Sequence, residues 1–390
     1  MATRCQIPGR QGGEQVERRF VILSAGMGAG HDAVAAELAR RLIRQGHSVE
    51  TADVLRMLPF GLGTGLRCFY AGVVGHVPLV YDAIYRAFFV PRGRLRGGTG
   101  PVVAPAALAL ARALRGRPPV TVISTFHLAA QIAGRLRERG VLRAPSVVLI
   151  TDFAVHRQWL HPGNDVHLCP TREAAGLVSR RGGRHPVQVG PVVPPAFLAP
   201  PDAVAAGAYE RRFARAAPDR VPVLVSSGAW GVGSRLERTA ALLAAAGYLP
   251  VVLCGRNERL RRRMNAVRGV LGLGWVTDMP ALLAAVRAVV ENAAGQTAAQ
   301  ALAAGVPVVS YRPIPGHGAD GARRMAEAGL TSYARDEWEL LRELDVLTTD
   351  SRKRERRVAA GRELFVADAA RVAADAERLL TKDAQGPAAV

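Results

Sequence analysis

Short runs of β-branched and aliphatic residues alternate with longer alanine-rich stretches along most of the chain. Short apolar runs bounded by turn residues are typical of buried parallel strands, and longer stretches with periodic polar positions are typical of helices. Their alternation predicts an α/β fold with parallel sheets and helices on both faces. The predicted strands lie at 20–25, around Val49, and at 120–124, 146–151, 165–169, 222–226, 250–254, 287–291 and 306–310. The predicted helices lie at 31–45, 103–115, 127–139, 171–181, 234–246, 257–268, 297–304 and 320–328, with one or two more in 351–380.

A proline cluster divides this pattern into two series. Residues 189–195 read Val-Gly-Pro-Val-Val-Pro-Pro, and Pro200-Pro201 follow shortly afterwards. Such a cluster cannot continue a helix or a central strand, so we place the connection between two Rossmann-like lobes here. The predicted organisation is a disordered start at 1–18, a first lobe at 19–195, a second lobe at 196–350 and a C-terminal helical segment at 351–390.

One segment of the first lobe departs from the alternation. Residues 60–98 combine aromatic and aliphatic side chains with the arginines at positions 67, 86, 92, 94 and 96. Apolar side chains beside arginines suit a membrane interface, where the cations lie at the headgroups and the rings lie at the acyl boundary. A helical excursion that packs on its own lobe explains the same pattern, and an apolar groove for a lipid acceptor is compatible with both.

Charge and cysteine content narrow the class of protein. The 390 residues carry a formal net charge of +20, which attracts nucleic acid, anionic lipid or sugar nucleotides. Aromatic residues make up only 5%, and no nucleic-acid-binding motif is present, so nucleic acid is not an expected partner. The four cysteines show no paired spacing, and the sequence shows no signal peptide or membrane-spanning stretch. We therefore expect a cytoplasmic protein that is soluble or lies on a membrane surface.

Two glycine-rich turns, at 26–30 and 227–233, each connect a strand to a helix, one turn in each series. Glycine lets the backbone approach a ligand closely, and the free amides at a helix N-terminus favour anions. Two such units predict two lobes that face a shared cleft. A transferase holds its donor in one such lobe and its acceptor in the other.

His31 and Asp152 are the candidate bases of the first lobe. His31 follows Gly30 at a helix start, where the helix dipole disfavours imidazolium, so the ring is expected to stay a neutral proton acceptor. Asp152 follows a predicted strand, and it is either the base itself or a group that orients His31. A capping or core histidine and a capping aspartate explain the same residues without catalysis.

The second series places five loops at the expected carboxyl ends of its strands, where ligands bind in such sheets. They lie at 227–233, 255–257, 274–279, 292–297 and 315–318. The loop at 292–297 opens a helix, with Thr297 near its start, and its backbone amides are expected to hold a diphosphate.

A metal site is not expected. The chain contains no Asp-x-Asp sequence, and the spacing of His156, His161, His167 and Cys169 matches no standard zinc site. His156 and Trp159 are expected to line the acceptor cleft or to pack beneath it. No cofactor is expected either, because a sugar nucleotide would be a co-substrate.

Several motifs together resemble one enzyme family. They are Gly28-Ala29-Gly30-His31, Ser124-Thr125-Phe126-His127, Thr151-Asp152-Phe153 with His156 and Trp159, Gly190-Pro191, Gly274-Trp275-Val276-Thr277-Asp278-Met279 and Gly305-Val306-Pro307. From about residue 20 to 330 the chain resembles the monogalactosyldiacylglycerol synthases and processive diacylglycerol glucosyltransferases of glycosyltransferase family 28. It is more distantly similar to the N-acetylglucosaminyltransferase that makes lipid II.

The resemblance implies a GT-B type of fold and an inverting, metal-independent transfer from a UDP-sugar to a lipid hydroxyl, that of diacylglycerol. It implies catalysis by His31 or Asp152 on the inner face of the cell membrane, with an anionic membrane surface as a partner. The implied acceptor-binding residues are Gly28, Gly30, His127, His156 and Trp159. The implied donor-binding residues are Gly228, Trp230, Gly231, Gly233, Arg256, Val276, Ala294, Gly295, Gln296, Thr297, Gln300 and His317.

Two positions depart from the family pattern. Gln300 stands where the family has a glutamate for the ribose hydroxyls, and it loses the charge-assisted strength of that hydrogen bond. His317-Gly318 stands where the plant-type synthases have a Gln-Glu pair that faces the sugar. The identity of the sugar and of the nucleotide therefore stays open, as does the oligomeric state.

Two other functions fit the same sequence. The acceptor could be a polyprenyl-linked sugar or a soluble natural product, although a soluble acceptor gives no reason for the composition of 60–98. The other hypothesis is a protein that is not an enzyme: a membrane sensor that binds a nucleotide sugar without turnover. The departures from the family pattern at Gln300 and His317 allow it.

Overall fold

The computed structural model describes residues 17–76, 100–227 and 235–384. Within these residues the chain forms two parallel sheets of six strands, in the orders β2-β1-β3-β4-β5-β6 and β12-β11-β10-β7-β8-β9. The strands of the first sheet are β1 (Arg19–Ser24), β2 (Ser48–Asp53), β3 (Thr121–Ser124), β4 (Ser146–Leu149), β5 (Val166–Cys169) and β6 (Pro186–Gln188). Those of the second are β7 (Val221–Ser226), β8 (Tyr248–Leu253), β9 (Leu271–Leu273), β10 (Ala288–Glu291), β11 (Val308–Tyr311) and β12 (Ser332–Ala334). The predicted α/β fold with two parallel sheets is confirmed.

The described helices connect these strands. In the first lobe they are α1 (Ala29–Arg44), α2 (Leu62–His76), α3 (Gly100–Leu114), α4 (His127–Glu138) and α5 (Arg172–Arg180). In the second they are α6 (Ala203–Ala216), α7 (Leu236–Ala245), α8 (Glu258–Ala266), α9 (Met279–Ala284), α10 (Gln296–Ala303), α11 (His317–Glu327) and α12 (Glu337–Thr349). The last three are α13 (Ser351–Arg362), α14 (Ala369–Ala374) and α15 (Ala376–Ala384), so the predicted one or two helices of 351–380 are three.

Each sheet is apolar on both faces because successive side chains of a strand point to opposite sides. Phe20 and Ile22 of β1 pack with α1 on one face, and Val21 and Leu23 pack with α3 and α4 on the other. In the second sheet, Val223 and Val225 of β7 face α7 and α12, whereas Leu224 faces α10. Burial on both faces explains why the strands are continuous apolar runs in the sequence.

The C-terminal segment belongs to both lobes. Helix α13 packs on the second lobe, where a side chain at Gly361 would press against Leu302 of α10. The chain then crosses back, and the alanines of α14 are buried beside α1 of the first lobe. Arg41 of α1 fixes the crossing, because its guanidinium donates to Asp368 (3.1 Å) and to the Val193 carbonyl in the other connection (2.5 Å).

The apolar and basic segment at 60–98 is described only as far as residue 76, so Arg86, Arg92, Arg94 and Arg96 lie outside the described residues, as does the predicted disordered start up to residue 16. In the described part, α2 and the turn before it expose large apolar side chains. Phe60 is 99% exposed, Phe69 is 55% exposed and Leu62 is 56% exposed. No helix among the described residues is both long and apolar enough to cross a membrane.

Candidate active site

His31 lies in the first turn of α1, at the carboxyl end of the first sheet. Its Nδ1 is 3.2 Å from the Thr125 carbonyl oxygen and 3.3 Å from the Thr151 hydroxyl, and its ring meets the Phe126 ring edge-on. A carbonyl oxygen only accepts hydrogen bonds, so this contact requires the proton on Nδ1. In the neutral tautomer, Nε2 then keeps its lone pair and is the atom able to accept a proton.

Asp152 follows β4 and has its own partners. It accepts a hydrogen bond from Trp159 Nε1 (2.9 Å), and its carboxylate lies 3.4 Å from His156 Nε2. Burial alone would raise the pKa of Asp152, but the hydrogen bond and charge of His156, with smaller contributions from His317 and His31, hold it below its ordinary value. Asp152 is therefore a stable anion at neutral pH and a weak base.

His127 completes an aromatic wall beside Asp152. Its ring centroid lies 5.1 Å from that of His156 and 6.1 Å from that of Trp159. Burial, aided by His156 and opposed by Asp152, lowers the pKa of His127 well below its ordinary value. The structure thus brings together four of the predicted first-lobe residues, which are Asp152, His127, His156 and Trp159. Asp152 is the one acidic residue among these four.

His317 brings the second lobe to the same place. It begins α11, and burial lowers its pKa even though the charge of Asp152 acts in the opposite direction. The charges of Asp152, His156 and His31 all act on His317, so it lies within electrostatic range of these first-lobe residues. The predicted sugar-facing position and the predicted bases therefore share one cleft.

The loop at 292–297 lies directly across this cleft. Gln296 Nε2 donates to the Val192 carbonyl (3.0 Å), and a Cβ placed on Gly30 would lie 3.5 Å from the Gln296 Cβ. The loop leads into α10, whose N-cap position is Gly295 and whose first free amides point out of the helix. The helix start at Gly30 in the first lobe and the helix start at Gln296 in the second lobe are thus next to each other.

Glu291 holds this loop in shape, and the sequence analysis missed it. The buried carboxylate accepts hydrogen bonds from the backbone amides of Ala293 (2.7 Å) and Ala294 (2.6 Å) and from the Ser310 hydroxyl (2.5 Å). Ala294 adopts φ 49°, a left-handed conformation that non-glycine residues rarely take. A carboxylate at the end of a buried apolar strand was the available signal, because such a group needs several donors.

The remaining predicted donor residues lie further along the second sheet. The exposed Arg256 lies over the Trp275 ring at 4.8 Å, and Val276 follows at the end of β9. Gln300 lies in α10, one turn beyond the helix start, and Thr297 Oγ1 is 3.4 Å from Ser226 Oγ of β7. Gly228, Trp230, Gly231 and Gly233 lie outside the described residues.

The residues weighed for a zinc site separate in the fold. His167 Nδ1 lies 2.7 Å from the Arg184 carbonyl, and His161 Nε2 lies 3.9 Å from Glu138. Cys169 is fully buried, which raises the pKa of its thiol to about 12. Across 17–76, 100–227 and 235–384, no group of three or more potential ligands is placed to hold a metal ion.

Comparisons with known proteins agree with this geometry. Residues 31–191 match the model of the monogalactosyldiacylglycerol (MGDG) synthase family. A processive diacylglycerol beta-glucosyltransferase from Bacillus cereus is 25% identical over 362 residues, which cover 86% of this chain and 87% of that protein. These findings confirm the predicted resemblance and the prediction of a glycosyltransferase.

Solved structures confirm the GT-B type of fold. MurG of Acinetobacter baumannii superposes with a TM-score of 0.60 at 15% identity, over 94% of this chain and 99% of that one. Alr3699/HepE of Anabaena, solved in complex with UDP-glucose, superposes with a TM-score of 0.56 at 13% identity, over 93% of this chain and 99% of that one.

Proposed function

We propose that this chain, a glycosyltransferase that resembles the monogalactosyldiacylglycerol synthases of family 28, is an inverting hexosyltransferase that acts from a UDP-sugar on a lipid hydroxyl, that of diacylglycerol. The main support is that two functional groups, one from each lobe, face each other across one cleft. The first lobe contributes a proton acceptor, and the second contributes a helix N-terminus suited to a diphosphate. Thr151 and Phe153 line this cleft from one side, and Gly295 and Gln296 line it from the other.

In the proposed reaction the acceptor hydroxyl oxygen attacks the anomeric carbon of the donor. The bond from that carbon to the phosphate oxygen breaks, and the nucleoside diphosphate leaves with the electron pair. His31 Nε2 takes the hydroxyl proton, because Nδ1 is directed to the Thr125 carbonyl. A single displacement of this kind inverts the anomeric configuration.

Asp152 has a different part in this proposal. Its anionic form stabilises positive charge that develops on His31 during proton transfer, and its bonds to Trp159 and His156 keep it in place. His127 and Trp159 form the wall against which the acceptor lies. Gly28 and Gly30 leave room for the acceptor beside His31.

The leaving group is stabilised without a metal in this proposal. The amides that begin α10, shaped by Glu291, hold the diphosphate, and the helix dipole favours its negative charge. Gln300 lies one turn further along the same helix and is the group for the ribose. His317 is the group that faces the sugar.

The lipid acceptor implies work at a membrane surface. We propose that the exposed apolar face of α2 and the preceding turn, which includes Phe60, Leu62 and Phe69, lies on the anionic inner leaflet. The net charge of +20 supports the same orientation through attraction to anionic headgroups. The names of the Bacillus relatives support diacylglycerol as the acceptor.

The test is direct transfer. The full chain is incubated with labelled UDP-glucose or UDP-galactose, vesicles that contain diacylglycerol, and a chelator of divalent cations. We expect a labelled glycolipid with the inverted β linkage, and its formation should not depend on added metal. Label on a polyprenyl-linked or soluble acceptor alone would replace the lipid assignment, and donor binding without transfer to any acceptor would indicate a sensor.

A further inference from the structure

A polar pocket in the second lobe has unsatisfied hydrogen-bond donors that the proposed mechanism does not use. It lies where β7, β10 and β11 end, beside α7, and it contains about 290 Å³ of space including its open mouth. Ser226, Ser227 and Asn292 line it together with Arg312, which directly follows β11. Ser227 and Asn292 begin two of the predicted ligand loops, whereas Arg312 belongs to none of them.

Arg312 is held rigidly beside this pocket. Its backbone adopts φ 49°, its guanidinium carbon lies 4.8 Å from the centre of the Tyr311 ring, and its Nη2 donates to Glu337 at 3.0 Å. Its Nη1 is buried and has no hydrogen-bond partner among the described residues. A buried cationic donor without a partner is costly, so such a group in a native structure calls for a ligand.

Ser227 gives an independent observation of the same kind. The residue is 3% exposed, and its hydroxyl also has no hydrogen-bond partner in the described chain. The carboxylate of Glu291 lines the pocket too, but both of its oxygens already accept hydrogen bonds, from Ala293, Ala294 and Ser310. Arg312 and Ser227 thus bring a charged N–H and a hydroxyl to the pocket, and both of these groups can donate a hydrogen bond to a ligand.

We propose that Arg312 Nη1 and Ser227 Oγ bind an oxyanion of the phosphoryl class. The pocket adjoins the start of α10, because Ser226 Oγ of the pocket lies 3.4 Å from Thr297 Oγ1. Two sources have this chemistry. One is the terminal phosphate of the nucleoside diphosphate, and this source rests on the proposed function. The other is free inorganic phosphate, which does not depend on it.

The test compares Arg312→Gln with Arg238→Gln in the full chain. Both arginines donate to the same Glu337 oxygen, but Arg238 does not line the pocket, so it is the matched control. Calorimetry measures binding of UDP and uridine, and thermal unfolding measures stabilisation by inorganic phosphate. Loss of a charged hydrogen bond should weaken UDP binding roughly ten- to hundredfold in Arg312→Gln and leave uridine binding unchanged. Arg238→Gln should leave both unchanged.

Each other outcome is equally decisive. If stabilisation by phosphate is lost in Arg312→Gln while UDP affinity stays the same, the oxyanion is free phosphate, and the phosphoryl site stands. If the wild type binds phosphate through Arg312 but does not bind UDP, the site stands and the proposed UDP-sugar donor fails. If a folded Arg312→Gln binds both like the wild type, the proposal is overturned.

Ser227→Ala keeps the proposal testable should Arg312→Gln fold poorly. Removal of one neutral donor should weaken binding of the same ligand roughly two- to tenfold. Unchanged affinity for both UDP and phosphate in Ser227→Ala would then overturn the assignment.

Discussion

At the scale of single side chains, His31 and Asp152 differ in how many of their hydrogen-bonding atoms already have a partner. Asp152 receives a hydrogen bond from Trp159 and lies beside His156, and these contacts favour its ionised form. His31 uses only Nδ1 in its contacts with Thr125 and Thr151. In the proposed mechanism His31 Nε2 therefore accepts the proton, and Asp152 provides a fixed negative charge.

We expect His31→Ala to lower kcat by roughly 10²- to 10⁴-fold while donor affinity stays nearly unchanged, because general-base catalysis contributes about that much. Steady-state kinetics and calorimetry with UDP measure the two effects. His47→Gln is the matched control, since His47 is a largely buried histidine that contacts Phe20 and Arg18 instead of the cleft.

Asp152→Asn should reduce kcat by less than His31→Ala, because asparagine keeps the shape and loses the charge. Circular dichroism checks that the variant is folded. A nearly normal His31→Ala together with an inactive Asp152→Asn would make Asp152 the base. Normal turnover in both folded variants would contradict the acceptor-side mechanism altogether.

Glu291 yields a prediction about pH. Burial raises the pKa of Glu291, although the hydrogen bonds from Ser310, Ala293 and Ala294 oppose the shift. The folded protein therefore holds this proton more tightly than the unfolded chain does. The group's contribution to stability is fully present below its ordinary pKa, and it is lost as the pH rises through the pKa of the folded state. Glu291→Gln should therefore remove part of the fall in the free energy of unfolding above about pH 4.5. Urea unfolding at several pH values measures it.

Glu291→Ala separates shape from charge at the same position. The loss of an acceptor for two buried amides should destabilise the fold by about 1–3 kcal/mol and weaken UDP binding, whereas Glu291→Gln should bind UDP nearly as the wild type does. Equal UDP affinity in Glu291→Ala and the wild type would show that the carboxylate does not shape the donor loop.

Single residues were predictable from the sequence where the backbone pattern marks them. His31 follows three spaced glycines at a helix start, and Thr297 follows a strand and a glycine. Glu291 and Arg312 were not predictable in the same way. Glu291 matters because of the donors around it, which include Ser310 on a neighbouring strand. Arg312 matters because its Nη1 has no hydrogen-bond partner among the described residues. Neither fact can be read from the local sequence.

At the scale of elements, the long apolar runs predicted their strands well, and the short ones did not. Strands β6, β9 and β12 have three residues each, which is too few to show a pattern, and each lies at or near a sheet edge. Helix α6 was missed because it follows Pro200-Pro201, where the prolines indicated a connection. Its N-cap Asp202, which accepts from the amides of Val204 and Ala205, was the overlooked signal.

The exposed face of α2 carries a prediction at this scale. The double variant Phe60→Ser and Phe69→Ser should bind anionic vesicles roughly tenfold more weakly, because it loses apolar area that the proposal places in the interface. Vesicle co-sedimentation measures this, and rising salt should weaken the wild type as well. Val204→Ser, at a side chain that is 79% exposed on the second lobe, is the control.

Two results would contradict this orientation. Equal binding to neutral and anionic vesicles would remove the electrostatic part of it. Unchanged binding of the double variant would show that the face of α2 that includes Phe60 and Phe69 does not touch the membrane.

At the scale of the whole molecule, the two lobes are joined by two connections, at 189–202 and at 363–368. Gly190 lies where they meet, with φ 87°, and a Cβ there would collide with the Leu364 carbonyl. The proline cluster predicted the first connection. The second connection had no signal in the sequence. The alanines of α14 predict only a helix, and the sequence does not show that this helix packs against α1.

Deletion of residues 369–384 tests the importance of the second connection. It removes the buried alanines of α14 from the core beside Phe20 and Leu38 and should lower the melting temperature by roughly 5–10 °C. Hydrogen exchange should speed up in β1 and α1 and stay unchanged in α7 and β8. Deletion of residues 385–390 is the control, and faster exchange confined to the second lobe would contradict the assignment.

The return of the chain to its first lobe has a consequence for synthesis on the ribosome. Domains usually fold in the order in which they are made. Here the second lobe is made in one uninterrupted stretch, whereas the first must wait for α14, made about 180 residues after the end of β6, before its core is covered. The second lobe is therefore the first to be completed. Until the last turns emerge, the nascent first lobe presents an apolar face beside α1 that a chaperone would recognise.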